Sequence, residues 1–231
     1  MAKGPSRMPR VFIEKFTPPR TVPAPEERHH LRNVLRLGDG NHVQLFDAHG
    51  NEANGTIAGD AIEHAPPTRR ERDVTLSVAS AVPKGDRVEW LVEKLAELGV
   101  ASWHPLLTER STVDPRPGKL EKLRRRVIEA AKQAGTPGVM SIGEPVKLER
   151  FLETADGPLH VLSTVDSEPP RPTPGEAATL LIGPEGGWTD RELTLMADRR
   201  ATAVTLGPTV LRIETAAVVG TGVFATLLRG S

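Results

Sequence analysis

Two stretches of the chain gather residue types that could do chemistry. The first reads Leu180-Leu181-Ile182-Gly183-Pro184-Glu185-Gly186-Gly187-Trp188-Thr189-Asp190. An apolar strand breaks into Gly-Pro-Glu-Gly-Gly, and a helix is expected to begin at Thr189 or Asp190, both good N-caps. In open α/β sheets, ligands bind where such loops leave the carboxyl ends of strands. This loop is neither G-x-x-x-x-G-K-[ST] nor G-x-G-x-x-G. It carries no lysine, and Glu185 would repel a phosphate, so a phosphate-free ligand with positive charge suits it better. A plain strand-to-helix turn that needs glycine accounts for the same residues. The second stretch, Leu206-Gly207-Pro208-Thr209-Val210-Leu211-Arg212-Ile213-Glu214-Thr215-Ala216, also leaves a strand through Gly-Pro and enters a helix. Arg212 offers a fork of donors to a phosphate or a base carbonyl. Arg212 and Glu214 would equally serve as an ion pair, with Glu214 favoured by the helix dipole.

Other chemistries lack their residues. There is no cysteine, hence no thiolate ligand, disulfide or Cys nucleophile. The seven histidines show no metal spacing; His29 and His30 are adjacent and cannot chelate as an i, i+4 pair. No G-x-S-x-G marks a hydrolase nucleophile. No metal is expected.

The frame that must hold these loops is legible from composition and period. The 231 residues balance 30 basic against 30 acidic side chains. Residues 1–36 nevertheless carry eight Lys/Arg against three acids, a local excess of five that suits either a polyanion or a solvated surface. Short strands are expected around Val43 and Leu45 and over 53–57, joined by a turn at 48–51. The proline-led, charged run 64–73 reads as a linker. Beyond it, a strand over 74–82, a helix over 85–98 stopped by Gly99, a strand over 103–107 and a helix over 119–134 alternate. Further strands over 159–163, 179–183 and 203–206, the first two separated by a Pro-rich loop at 169–175, complete an alternation that predicts a mostly parallel sheet with helices on its faces. Arg124, Arg125 and Arg126 fall on the helix over 119–134 as a solvated face. Helix 214–228 has no charge between Glu214 and Arg229. A helix apolar or small all round is buried on more than one side, either within one chain or against a second copy. No membrane span is apparent in the sequence, and a soluble cytoplasmic protein is expected.

Taken together, Ile182-Gly183-Pro184-Glu185-Gly186-Gly187 and the run from Leu206 to Ala216 resemble the paired signature of the bacterial 16S ribosomal RNA uridine-N3 methyltransferases, of the SPOUT superfamily. Lys84-Gly85-Asp86-Arg87, Glu97-Leu98-Gly99-Val100, Pro105-Leu106-Leu107-Thr108-Glu109-Arg110-Ser111 and Glu129-Ala130-Ala131-Lys132-Gln133-Ala134-Gly135 are similar to further family motifs. So are His30-Leu31-Arg32-Asn33-Val34-Leu35-Arg36 and Leu45-Phe46-Asp47 in its N-terminal domain. The chain departs from the common pattern at Thr136, Thr209, Ile213 and Ser163-Thr164. The resemblance implies an α/β fold: a SPOUT-type domain over 73–231 with a deep trefoil knot, preceded by a small PUA-like β-barrel over 1–72. It implies S-adenosylmethionine as methyl donor, 16S ribosomal RNA of the small subunit as partner, and a homodimer. Cofactor contacts are expected from Leu162, Ile182, Gly183, Pro184, Glu185, Gly186, Gly187, Leu206, Gly207, Pro208, Val210 and Leu211. Arg212 is expected to steady the developing anion or a phosphate, with Glu214 orienting it or accepting a proton. Arg10, Arg32, Arg36 and Arg110 are expected to grip RNA. Two other readings fit: a related RNA methyltransferase with another target atom, or a non-catalytic RNA-binding assembly factor.

Overall fold

A computed structural model describes residues 8–111, 117–165 and 167–230. The chain forms two compact units, one of residues up to Glu71 together with Ala131–Val139, the other of Arg72–Ala130 with the remainder.

The first unit is built on a six-stranded sheet. Its strands are β1 (Arg10–Phe12), β2 (Arg20–Thr21), β3 (His42–Phe46), β4 (Asn51–Ala58), β5 (Ala61–His64) and β6 (Thr68–Arg69). They follow the order β1-β3-β4-β5-β2, with β6 also pairing β4. Only β1 with β3 is parallel. The expected hairpin of β3 and β4 is present, closed by Asp47, whose Oδ1 accepts from the His49 and Asn51 amides at 2.8 and 2.9 Å. The charged run 64–73 is not all linker: Thr68 and Arg69 add to β4, because β5 pairs β4 only from Gly55 onward and leaves the edge at Asn51 and Glu52 open to a short partner. Val11, Ile13, Leu31, Val43, Leu45, Ile57 and Ile62 form the core. Gly55 sits where β4 crosses this core so closely that a Cβ would stand 2.5 Å from Ile62 Cγ2. A short helix, α1 (Pro25–His29), runs on as a π-helical turn over His30–Val34 and carries the basic residues outward.

The second unit is a wholly parallel sheet with helices on its faces. Its strands are β7 (Leu76–Ala81), β8 (Ser102–Leu107), β9 (Ser141–Ile142), β10 (Val146–Lys147), β11 (Leu159–Leu162), β12 (Ala178–Ile182) and β13 (Thr202–Val204). The order is β10-β8-β7-β12-β11-β13, with β9 also on β8. All five residues of β12 are buried, as a strand covered on both faces requires. On one face, Leu148, Phe151 and Leu152 of α4 (Leu148–Thr154) and Met196 of α5 (Asp190–Asp198) pack on Leu106, Val161 and Leu181. On the other, α2 (Arg87–Glu97) and α6 (Ile213–Arg229) pack together, with α6 against β7 and β12.

Helix α3 (Pro117–Ala134) bears Arg124, Arg125 and Arg126 as expected on an ion-paired, solvated face. Arg126 donates to Glu93 at 2.7 Å and to Glu89 at 3.0 Å, and Arg124 donates to Glu144 at 3.1 Å. Lys122 first, and Arg126 after it, hold the Glu89 carboxyl below its ordinary range. Helix α5 starts as the sequence indicates, at a capping box: Thr189 Oγ1 accepts from the Glu192 amide, and Glu192 Oε2 accepts from the Thr189 amide at 2.9 Å. Thr189→Ala is expected to cost about 1 kcal/mol of stability, checked by denaturant unfolding, with the secondary structure unchanged.

The candidate active site

The carboxyl ends of β11, β12 and β13 lie side by side, and the loop after each turns over a cavity of about 560 Å³. Here the chain order reverses: β12 is laid beside β11 toward β7, and the next strand, β13, returns to the far side of β11. Such a reversal opens a crevice at the strand ends.

Each wall has a local cause. In the loop after β12, the Gly187 amide donates to the Pro184 carbonyl at 2.8 Å, closing a tight turn, and Gly187 takes φ +71°. Gly183 is required by closeness, since a Cβ there would lie 2.9 Å from Trp188 Cε2. The Trp188 indole thus lies against the loop backbone, and its Nε1 is buried without a partner among the described residues. Arg110 ties this loop from outside: its Nη1 donates to the Gly186 carbonyl at 2.7 Å and to the Trp188 carbonyl at 3.3 Å. Glu192 adds a second tie, its Oε1 accepting from the Glu109 amide at 2.9 Å. After β13, Thr205 Oγ1 donates to the Gly207 carbonyl at 2.9 Å and fixes the start of the second Gly-Pro loop.

Most of the residues expected to hold a cofactor come together. Leu162, Ile182, Gly183, Pro184, Glu185, Gly187, Leu206, Gly207, Val210 and Leu211 all line the cavity. Gly186 and Pro208 do not; Gly186 faces a neighbouring hollow instead. Apolar side chains from the ends of β11 and β12 and from the loop after β13, backbone groups from two loops and the carboxylates of Glu185 and Asp190 make up a surface without lysine.

Arg212 also reaches this cavity, from the N-cap position of α6. It is exposed, and among the described residues no hydrogen bond or ion pair holds its guanidinium. Glu214 does not pair with it, so the expected orienting contact is corrected. Glu214 is buried, is not on the cavity wall, and its Oε1 accepts from Arg87 Nη1 at 3.2 Å. The same Nη1 donates to Glu185 Oε1 at 3.2 Å. Arg87 is the residue that sequence reasoning missed in this role. It stood in a recognised motif, but nothing local shows that the first turn of α2 lies between the Gly-Pro-Glu-Gly-Gly loop and α6. Glu214 first, then Glu185, raise the Arg87 pKa further. Glu214 Oε2 is buried and unpartnered among the described residues.

The residues expected to grip RNA divide. Arg32 and Arg36 are exposed in the first unit, Arg32 donating to Asp39 at 3.0 Å and to the Gly59 carbonyl at 2.6 Å. Arg110 spends two hydrogen bonds on the loop backbone and acts as its fastening. Arg10 is a correction: its side chain is only 1% exposed, and it pairs with Glu52 at 2.6 Å inside the first unit. A charge count has no knowledge of burial. No group of three or more metal-ligating side chains occurs among the described residues.

Residues 70–225 match the model of an RNA methyltransferase domain, and residues 23–61 that of an RNA methyltransferase PUA domain. Over 215 residues the chain is 31% identical to ribosomal RNA small subunit methyltransferase E of Aquifex aeolicus (strain VF5), covering 84% of this chain and 93% of that one. The chain belongs to the ribosomal RNA small subunit methyltransferase E family. A Bacillus subtilis (strain 168) member of that family is 29% identical, over 90% of this chain and 93% of its own length. Among solved structures, a methyltransferase from Legionella pneumophila with bound SAM superposes with a TM-score of 0.84 at 30% identity, covering 95% of this chain and 98% of that one. A methyltransferase E from Neisseria gonorrhoeae bound to S-adenosyl methionine gives 0.85 at 25% identity, over 96% and 98%. The PUA match falls within the first unit, and the methyltransferase match falls mostly on the second.

Proposed function

We propose that the protein transfers a methyl group from S-adenosylmethionine to N3 of one uridine in 16S ribosomal RNA of the small subunit. The observation that carries this reading is the cavity over β11, β12 and β13, formed by the residues that the resemblance assigns to the methyl donor. The donor has no phosphate, which suits a lysine-free wall, and its adenine and methionine parts suit Leu162, Ile182, Leu206 and the loop backbones. The orphaned Trp188 Nε1 and the acidic Glu185 and Asp190 are further groups that such a ligand can engage. Once bound, S-adenosylmethionine supplies the methyl group from its sulfonium and departs as a neutral thioether.

The chain's own residues supply the rest. Arg212, at the cavity rim and without an ion pair among the described residues, stabilises negative charge on the acceptor. Arg87 holds Glu185 and Glu214, and through them the cofactor loop and the first turn of α6. Arg32 and Arg36, beside exposed Val34 and Leu35, present the RNA-gripping face of the first unit. A paired N3 lies inside a duplex, so the uridine must be single-stranded or flipped out. The homodimer belongs to this reading and is supported by α6. Val219 and Leu227 are exposed on this helix, which carries no charged side chain between Glu214 and Arg229. The trefoil knot belongs to it too, supported by the insertion of β12 between β7 and β11, both of which precede it in the chain. Among the described residues no helix is long and apolar enough to cross a membrane. A cytoplasmic location belongs to this reading and is supported by the ribosomal substrate it names.

The test is methyl transfer from labelled S-adenosylmethionine to small subunits from cells lacking the protein, followed by nucleoside analysis. A single 3-methyluridine is expected. Another methylated nucleoside would move the target atom, and RNA binding without methylation would replace the enzyme by an assembly factor.

A further inference from the structure

Beside the cofactor cavity lies a second hollow, of about 250 Å³, at the carboxyl ends of β7 and β8. Pro184, Glu185 and Ile213 line both, so the two hollows adjoin, and their ligands would meet over the rim of this partition. Its floor is apolar, from Ala81, Val82 and Ile213, which suits the face of a base. Its rim is charged. Lys84, the first residue of the Lys-Gly-Asp-Arg motif, is exposed, and among the described residues its ammonium has no hydrogen bond or ion pair. Arg110 faces the hollow from the loop after β8 and Glu185 from the loop after β12. Behind them, Arg87 of α2 donates its Nε hydrogen to the Lys84 carbonyl at 3.3 Å and bridges Glu185 to Glu214 of α6. Glu185 thereby shares the charge of Arg87 with Glu214, whereas among the described residues Lys84 pairs with no acid.

We propose that this hollow holds the acceptor uracil and that Lys84 is a catalytic residue, donating to a uracil carbonyl oxygen and stabilising the N3-deprotonated base. This rests on the uridine-N3 reading above. In neutral uracil N3 carries a proton and has no free in-plane electron pair. The proton leaves to solvent water, the pair stays on N3, and the charge spreads over O2 and O4. That pair forms the new bond to the methyl carbon as the carbon–sulfur bond of the donor breaks, its electron pair staying on sulfur. A cationic donor aimed at a carbonyl oxygen favours the anion over the neutral base and so raises the reactive fraction at neutral pH. Arg212, across the partition at the rim of the other cavity, acts on the same charge from the other side.

The experiment measures methylation of small subunits by the full-length protein carrying Lys84→Ala or Lys84→Arg, from pH 6 to pH 10 (roughly the range over which such an N3–H shift is seen). Lys84→Ala is expected to lower turnover at neutral pH about 100-fold. The rise of turnover with pH should move upward by about one unit or more. Lys84→Arg should stay within about tenfold of wild type, since it keeps the charge. Subunits grown with 5-fluorouracil, whose N3–H is more acidic, should recover about tenfold or more of the loss in Lys84→Ala. Affinity for subunits without cofactor should change by less than about threefold, as befits loss of one exposed contact. Turnover of Lys84→Ala close to wild type, a loss that 5-fluorouracil leaves untouched, or an equal loss of subunit affinity would each overturn the proposal. A wild-type protein that forms no 3-methyluridine overturns the uridine-N3 reading instead.

Discussion

Arg212→Ala is expected to lower methyl transfer about 100-fold, equivalent to about 2.7 kcal/mol of transition-state stabilisation. The structure makes this substitution unusually clean. The guanidinium is exposed at the N-cap of α6, makes no side-chain capping bond, and among the described residues pairs with nothing. Its removal therefore leaves no buried partner unsatisfied, and folding stability should stay within about 0.5 kcal/mol of wild type. Lysine separates two roles for the same charge. A compact ammonium can replace a charge that acts on a phosphate, but it cannot reproduce two parallel donors on a base carbonyl or a delocalised anion. Lys at 212 restoring activity to within about tenfold would assign the residue to a phosphate; a loss as deep as that of alanine would assign it to the base. Unchanged turnover in Arg212→Ala would remove the residue from the mechanism. The readouts are initial rates on small subunits with urea unfolding of the same preparations.

What could be read in advance, and what could not, follows from the range of the forces involved. The β7, α2, β8, α3 succession was legible because apolar residues at helical and strand spacing are local signals. The start of α5 was legible because a capping box lies within four residues. Both Gly-Pro loops were legible as a site because they leave parallel strands by the same device, whereas Leu162 came only with the resemblance, and the strand order sets its strand, β11, between theirs. The short elements escaped. β1, β2 and β5 have two to four residues each and hold together by pairing rather than propensity. The helix α4 shows its period only at Leu148, Phe151 and Leu152. The grouping of Ala131–Val139 with the first unit escaped as well, since contiguous reading assigns a helix end to the domain in which the helix begins. Arg87 was visible as a motif residue but not as the bridge from Glu185 to Glu214, a contact between residues 98 and 127 positions away.

Arg10 shows the same gap from the opposite side, with a measurable consequence. In the sequence it is one of eight cations in a basic segment; in the structure it is a core residue of the first unit. Its guanidinium lies 4.0 Å from the centroid of the Phe46 ring, donates to Glu52 Oε1 at 2.6 Å, and donates to the carbonyls of Ala131 and Thr136 at 2.9 and 3.1 Å. Arg10→Ala would leave the Glu52 carboxylate, 11% exposed, with Arg70 at 3.5 Å as its remaining ion-pair partner, and would strip donors from the two carbonyls. Breaking a buried pair from one side costs about 3–5 kcal/mol, more than the pair itself contributes, because a desolvated charge is left behind. The loss should be local. Hydrogen exchange should accelerate in β1, β3 and residues 131–139 and change little in β7 or β12. Removing Glu52 as well, in R10A/E52A, should return part of the loss, since the stranded carboxylate disappears with its partner. Arg10→Ala that keeps full protection of the first unit while weakening its hold on the small subunit would put Arg10 back on the RNA surface. The expected result is the reverse, a destabilised first unit whose RNA-binding defect disappears in conditions that restore its fold.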